Sequence, residues 1–143
     1  GNLLMVLLLK LKEEFWLDYD PIAEGNMNSR IVRSFRQLLE AEFKNVMNSE
    51  QYGSKLQAQY LAERMNFHPN YLNSVIKSKT GKTVNEWISG QTLVAAKNLL
   101  TGTTDSSKEI AYKLGFSEPT HFSRFFKKHT RLSPNTFRKL NRS

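Results

Sequence analysis

Apolar positions recur along most of this chain with the period of an α-helix, and they do so in a unit that occurs twice. From Ile110 to Arg138 the chain reads IAYKLGFSEPTHFSRFFKKHTRLSPNTFR. Ile110, Ala111 and Leu114 share one helical face, and Ser106 with Glu109 forms an S-x-x-E capping box ahead of them, so a helix is predicted to start near Ser107. Gly115 predicts its end, because the chain must turn there and glycine takes a left-handed conformation at little cost. Phe116 is expected under the turn, and Ser117 as the cap of a second helix from about Glu118 to Lys128. Stepping about 100° per residue from Phe122 puts Phe125 and Phe126 on the inner face, Thr120, Arg124 and Lys127 opposite, and His121, Ser123 and Lys128 on the flanks. A solvated surface helix and a helix pushed into a nucleic-acid groove share this pattern.

The repeat separates the two. Leu61 to Trp87, LAERMNFHPNYLNSVIKSKTGKTVNEW, has the same order of residue types. Leu61-Ala62 and Phe67 lie 49 residues before Ile110-Ala111 and Phe116; after one inserted residue, Leu72, Ile76, Lys77 and Thr80 lie 50 before Phe122, Phe126, Lys127 and Thr130. Asn66 stands where the second copy has Gly115, and asparagine is the next residue able to take a left-handed turn. Two helix-turn-helix copies joined by a helix imply two reading heads.

The remaining positions frame these copies. Leu3 to Leu11, LLMVLLLKL, is too short for a bilayer, which needs about 20 residues, and lacks the basic start of a signal peptide. With Leu4, Leu7, Leu8, Leu11 and Phe15 at helical spacing, it reads as a linker or dimerisation helix. Gly1 reads as a cut from a longer protein. Asp18 to Asn28, DYDPIAEGNMN, has no periodicity and is a connector. A scaffold helix is predicted from about Ser29 to Val46, with Ile31, Phe35, Leu38, Leu39, Phe43 and Val46 in one stripe. Asn48 to Ser54 reads as a loop, followed by a helix turning Leu56, Tyr60, Leu61 and Met65 inward. His68-Pro69 opens the next helix, with Leu72, Val75 and Ile76 inward and Asn70, Ser74 and Lys77 outward, flanked by Tyr71, Asn73 and Ser78; Gly81 stops it. Thr83 and Glu86 form a capping box for the linking helix, whose apolar positions are Trp87, Ile88, Leu93, Ala96, Leu99 and Leu100. Ser133-Pro134 opens a short last helix carrying Phe137 and Arg138.

Charge changes the picture more than composition does. The chain has 143 residues, 39% hydrophobic, with net charge +8 and a pI near 9.8. Lys10 and Lys12 face Glu13, Glu14, Asp18, Asp20 and Glu24 before Ser29, a net −3 that leaves +11 for the rest. A basic domain behind an acidic tail points to a polyanion. With no cysteine there is no disulfide or thiolate metal site, which is compatible with a reducing cytoplasm. His68, His121 and His129 are not spaced as metal ligands, the seven glycines form no phosphate loop, and no nucleophile or paired-carboxylate pattern occurs. No enzyme and no cofactor is expected.

The second copy carries I-A-x-x-x-G-F at Ile110 to Phe116, F-x-R-x-F-K-K at Phe122 to Lys128 and S-P-x-x-x-R at Ser133 to Arg138. With its partner copy it resembles the DNA-binding domain of AraC/XylS-type transcription regulators, over roughly Ser29 to Arg138. Arg131 stands where the family usually has glycine, Thr92 where the linking helix usually has arginine, and Gln57 is a poor cap. The resemblance implies an upstream sensing or dimerisation region, a dimer formed through it, and RNA polymerase as a further partner.

The expected architecture is all-α: residues 1–28 a linker or dimerisation remnant, residues 29–143 a double helix-turn-helix DNA-binding domain. Double-stranded DNA is the expected partner and a membrane is not. Arg124 suits a guanine edge, asparagine suits adenine, and Pro119 suits a thymine methyl. The base-reading set is Asn70, Asn73, Ser74, Pro119, Thr120, His121, Ser123 and Arg124; the phosphate-holding set is Lys77, Lys79, Lys82, Lys127, Lys128 and Arg131. A helical protein-interaction module and a non-specific nucleic-acid binder are the competing readings.

Overall fold

The computed structural model of the protein describes residues 27–48 and 56–142. These form seven helices and, among the described residues, no strand: α1 Met27–Asn48, α2 Ala58–Arg64, α3 Pro69–Thr80, α4 Val84–Gly102, α5 Ser107–Lys113, α6 Pro119–Thr130 and α7 Pro134–Asn141. The apolar run Leu3 to Leu11, the connector up to Asn26 and the predicted loop from residue 49 lie outside the described residues. The scaffold helix begins at Met27 rather than Ser29 and ends at Asn48 rather than Val46. The last proline and glycine of the connector are Pro21 and Gly25, so no breaker stands at Met27 or Asn28.

The chain divides into two compact units. The first takes residues 27–39 and Gln57–Ile88; the second takes residues 40–48, 56 and 89–142, so α1 and α4 contribute to both. In the first, Ile31, Val32, Phe35 and Leu39 of α1, Leu61 and Ala62 of α2, Leu72, Val75 and Ile76 of α3 and Val84, Trp87 and Ile88 of α4 are buried. Each large apolar side chain removed from water contributes about 1.5–3 kcal/mol, which holds these short helices in place. Leu38 and Met65, predicted inward, are half-buried, and Tyr60, predicted inward, is exposed. With Leu61 and Ala62 both fully buried, α2 turns its inner face one residue later than the predicted stripe.

In the second unit Phe43, Ala95, Ala96, Leu99, Leu100, Ile110, Ala111, Leu114, Phe116, Phe122 and Phe126 are buried, with Thr92. Leu93 and Val46 are half-buried. Phe116 lies 5.5 Å from both Phe122 and Phe125, and Phe126 meets Phe137 edge-on at 5.2 Å. Phe125, expected on the inner face, is half-buried, its ring also 4.7 Å from that of His129.

Both units make the same turn. Asn66 has φ 60° and Gly115 has φ 88°. Across that bend Phe67 N–H donates to Ala62 O at 2.9 Å, and Phe116 N–H to Ala111 O at 3.0 Å. The backbone bonds, rather than residue identity, define the bend, and asparagine satisfies it at the position that allows one left-handed residue.

Candidate nucleic-acid interface

The site is built from the starts of α3 and α6, since a reading helix addresses base edges with its N-terminal residues. Proline is the first residue of both, where its missing N–H costs nothing. The residue before proline is then the cap. In the first unit that is His68, whose Nδ1 accepts Asn70 N–H at 3.2 Å. In the second it is Glu118, not the predicted Ser117, and its side chain makes no capping bond. Ser117, the inserted residue, instead places Oγ 3.3 Å from His121 Nδ1. Glu118 Oε2 accepts Thr120 Oγ1–H at 3.4 Å and lies 3.8 Å from His121 Nε2.

The far ends of the two helices are tied off by matching threonine-to-backbone bonds. Thr80 Oγ1 donates to Ile76 O at 2.7 Å and accepts Lys82 N–H at 3.3 Å. Thr130 Oγ1 donates to Phe126 O at 2.8 Å and accepts Leu132 N–H at 3.1 Å. Each helix closes on a left-handed residue, Gly81 at φ 80° and Arg131 at φ 65°. The next helix is then capped: Thr83 and Glu86 reciprocate as predicted, Thr83 N–H to Glu86 Oε1 at 3.2 Å and Glu86 N–H to Thr83 Oγ1 at 3.1 Å. Ser133 Oγ accepts Thr136 N–H at 3.1 Å. The S-x-x-E box of α5 has its forward bond, Glu109 N–H to Ser106 Oγ at 3.0 Å.

On this frame the predicted base-reading residues divide by exposure. In the first unit Asn70 and Ser74 are exposed, whereas Asn73 is half-buried and its Oδ1 accepts Val84 N–H at 3.0 Å. In the second Thr120, His121 and Arg124 are exposed and Pro119 and Ser123 are half-buried. Thr120 and His121 meet through Glu118; Arg124 stands on α6 six residues after Glu118. Of the cations, Lys77, Lys127, Lys128 and Arg131 are exposed, and Lys79 and Lys82 are half-buried. Lys82 Nζ sits 4.8 Å from the centre of the Trp87 ring, whose Nε1–H donates to Thr80 Oγ1 at 2.9 Å. These cations lie in the last turns of α3 and α6 and the bends after them, where positive charge also complements the helix dipole.

Two residues stand outside the predicted sets. Glu118, predicted as a helix start, is the cap of α6. Arg138, predicted on the last helix, donates its Nε–H to Leu100 O at 2.9 Å and its Nη2–H to Thr103 O at 3.4 Å, covering carbonyls at the end of α4. The S-P-x-x-x-R spacing was the available signal. Among the described residues no cluster of three or more His, Cys, Asp or Glu side chains could hold a metal ion, and no helix is long and apolar enough to cross a membrane.

Comparison with known proteins agrees with this geometry. A helix-turn-helix domain family matches residues 61–140. The Msm operon regulatory protein of Streptococcus mutans is 31% identical, over 97% of this chain and 48% of its own length. The C-terminal domain of AraT, a response regulator from Geobacillus stearothermophilus, superposes with a TM-score of 0.67 at 29% identity, covering 82% of this chain and 91% of that domain. The DNA-binding domain of AdpA, solved with a target DNA, shares the fold with a TM-score of 0.61 at 21% identity, covering 77% and 90% of the two chains. The chain spans about half, or less, of the length of the curated relatives it matches. With both turns, both proline-opened helices and the family match in place, the chain belongs to the AraC/XylS-type helix-turn-helix family of DNA-binding domains in transcription regulators, whose role is regulatory rather than enzymatic.

Proposed function

We propose that residues 29–143 read a specific site on double-stranded DNA, with α3 and α6 entering successive major-groove segments of one duplex, about 34 Å apart along a straight double helix. The observation that supports this most is the double unit itself: two helices opened by proline, closed by the same threonine box, and each carrying exposed polar side chains at its start and cations at its end. Arg124 is the principal base reader, its guanidinium spanning guanine O6 and N7. Thr120, His121, Ser123 and Pro119 support it. In the first unit Asn70 and Ser74 read alongside Asn73, whose Oδ1 is shared with Val84 N–H while its amide N–H groups are left to address an acceptor. Lys77, Lys79, Lys82, Lys127, Lys128 and Arg131 hold phosphates and fix register.

On this reading the protein acts in the cytoplasm, residues 1–28 join the domain to an upstream dimerising region, and bound DNA brings it to RNA polymerase. Selecting duplexes from a random pool, followed by binding isotherms over a salt series, tests the core of it. The expected result is an asymmetric motif with two half-sites, bound more tightly than random duplex at every salt concentration. An interaction module would have no duplex affinity, and a non-specific binder would select no motif.

A further inference from the structure

Glu118 is a carboxylate at the head of the second reading helix, and it makes no capping bond there. It occupies the cap position of α6 without capping, at φ −140° and ψ 142°. Its side chain is 66% exposed. Its neighbours are two base-reading candidates, Thr120 Oγ1 at 3.4 Å and His121 Nε2 at 3.8 Å; among the described residues no lysine or arginine lies within ion-pair distance of it. The matching residue of the first unit, His68, lies 50 positions earlier and spends its side chain on the helix start. A carboxylate carried against a polyanion is repelled, by about 1 kcal/mol per phosphate at 4 Å even in water. That repulsion is offset where the carboxylate meets a hydrogen-bond donor of the DNA, and the major groove offers exposed amino groups on cytosine and adenine.

We propose that Glu118 is a specificity-determining residue that accepts a hydrogen bond from cytosine N4, so that the second unit requires a cytosine at the base facing the start of α6. Cytosine rather than adenine follows from the acceptor-only character of a carboxylate: adenine sets the N7 acceptor beside its amino group, and N7 repels a second acceptor, whereas cytosine presents the amino donor alone on its major-groove edge. Arg124, six residues on, is about 9 Å further along the helix axis, so the two side chains address different base pairs. The carboxylate also works by exclusion, because a guanine or thymine at the same place turns an acceptor towards it.

This rests on the DNA-reading function proposed above, and the test separates the two. The whole chain and its Glu118→Gln and Glu118→Ser variants are taken through selection from the same random duplex pool. Glutamine keeps the shape and loses the charge; serine supplies the missing cap hydroxyl, so its fold is not weakened. The expected result is a wild-type motif with one cytosine whose replacement lowers affinity roughly 5- to 150-fold, and loss of that preference alone in both variants, with non-specific affinity rising. Identical motifs in all three proteins, or an adenine at the Glu118-dependent position, overturn the role of Glu118 and leave the DNA-reading function standing. A wild-type chain that selects no motif overturns both.

Discussion

Asn73 Oδ1 accepts the backbone N–H of Val84 at 3.0 Å, joining the fifth residue of α3 to the first residue of α4. The second unit has no counterpart. There the matching residues, 50 positions on, are Ser123 and Pro134, and proline has no N–H to satisfy. An amide at a helix start needs a partner, and Asn73 supplies it from eleven residues away.

Asn73 therefore has a structural duty that Ser123 lacks. Asn73→Ala leaves a part-buried N–H without its acceptor and should cost about 1–2 kcal/mol, whereas Ser123→Ala should stay within about 0.5 kcal/mol. Urea denaturation of the two variants checks the difference. Asn73→Asp separates the duties: it keeps an acceptor for Val84, and so keeps most of the stability, while it replaces the amide donors with negative charge and weakens DNA binding. Equal stability losses in Asn73→Ala and Asn73→Asp would mean that the bond to Val84 contributes little.

The two threonine boxes make a second asymmetric pair. Thr80 and Thr130 make matching bonds to the backbone on either side, but Thr80 Oγ1 also accepts the indole N–H of the fully buried Trp87. At the corresponding place the second unit has Phe137, which carries no polar atom. Thr80→Val removes the hydroxyl that accepts two N–H groups and Thr130→Val the hydroxyl that accepts one, so the first should cost about 2–3 kcal/mol and the second about 1–2 kcal/mol. Thermal unfolding followed by circular dichroism orders them; a larger loss at Thr130 contradicts the account.

These pairs also show where sequence reasoning reaches. Features set within one turn are legible: the left-handed Asn66 from its alignment with Gly115, the reciprocal Thr83–Glu86 box, the helix start at His68-Pro69 and the cap at Ser133 before proline. The same proline rule points to Glu118, but Ser117, one residue earlier, is the more common capping residue type, and the two signals conflict. Bonds closed by packing were not legible. Asn73 reaches Val84 from the neighbouring helix, and Arg138 reaches Leu100 from 38 residues away, so each bond depends on how helices pack and not on spacing within one turn. Tyr60 lies exposed against its predicted side for a related reason: a seven-residue helix contains too few turns to fix its inner face from spacing alone.

Arg131 and Gly81 end equivalent helices in the same left-handed conformation, and only one of them is glycine. Arg131→Gly should relieve backbone strain and stabilise the second unit by about 0.5–1 kcal/mol, net of the extra freedom glycine brings to the unfolded chain. A Cβ added at Gly81 meets nothing within 4 Å, so Gly81→Ala tests the conformation alone and should destabilise by about 1 kcal/mol. If Arg131 also holds a phosphate, Arg131→Gly yields a more stable protein that binds DNA less tightly, with the salt dependence reduced by about one unit of slope. Denaturation and a salt series on the same sample separate these effects. A variant both more stable and unchanged on DNA would remove Arg131 from the phosphate set.

Arg124 and Lys127 are both exposed on α6 and both positively charged, yet they should fail differently. Arg124 lies in the middle of the helix, next to the half-buried Ser123; Lys127 lies in its last turn, where the dipole already favours a cation. A guanidinium can grip the two acceptors of guanine at once, whereas an ammonium on a flexible stem serves a phosphate as well as it serves a base. Arg124→Ala should cost about 1–3 kcal/mol on the selected site, much less on random duplex, and relax the preference at one base pair. Lys127→Ala should weaken both duplexes by a similar factor and lower the salt slope by about one, because one fewer phosphate is neutralised. Arg124→Lys is the sharper variant, since it keeps the charge and removes the fork: it should retain random-duplex affinity and salt slope while losing most of the discrimination. Equal affinity losses for Arg124→Ala on every sequence would assign Arg124 to the backbone and pass base reading to the residues at the head of the helix.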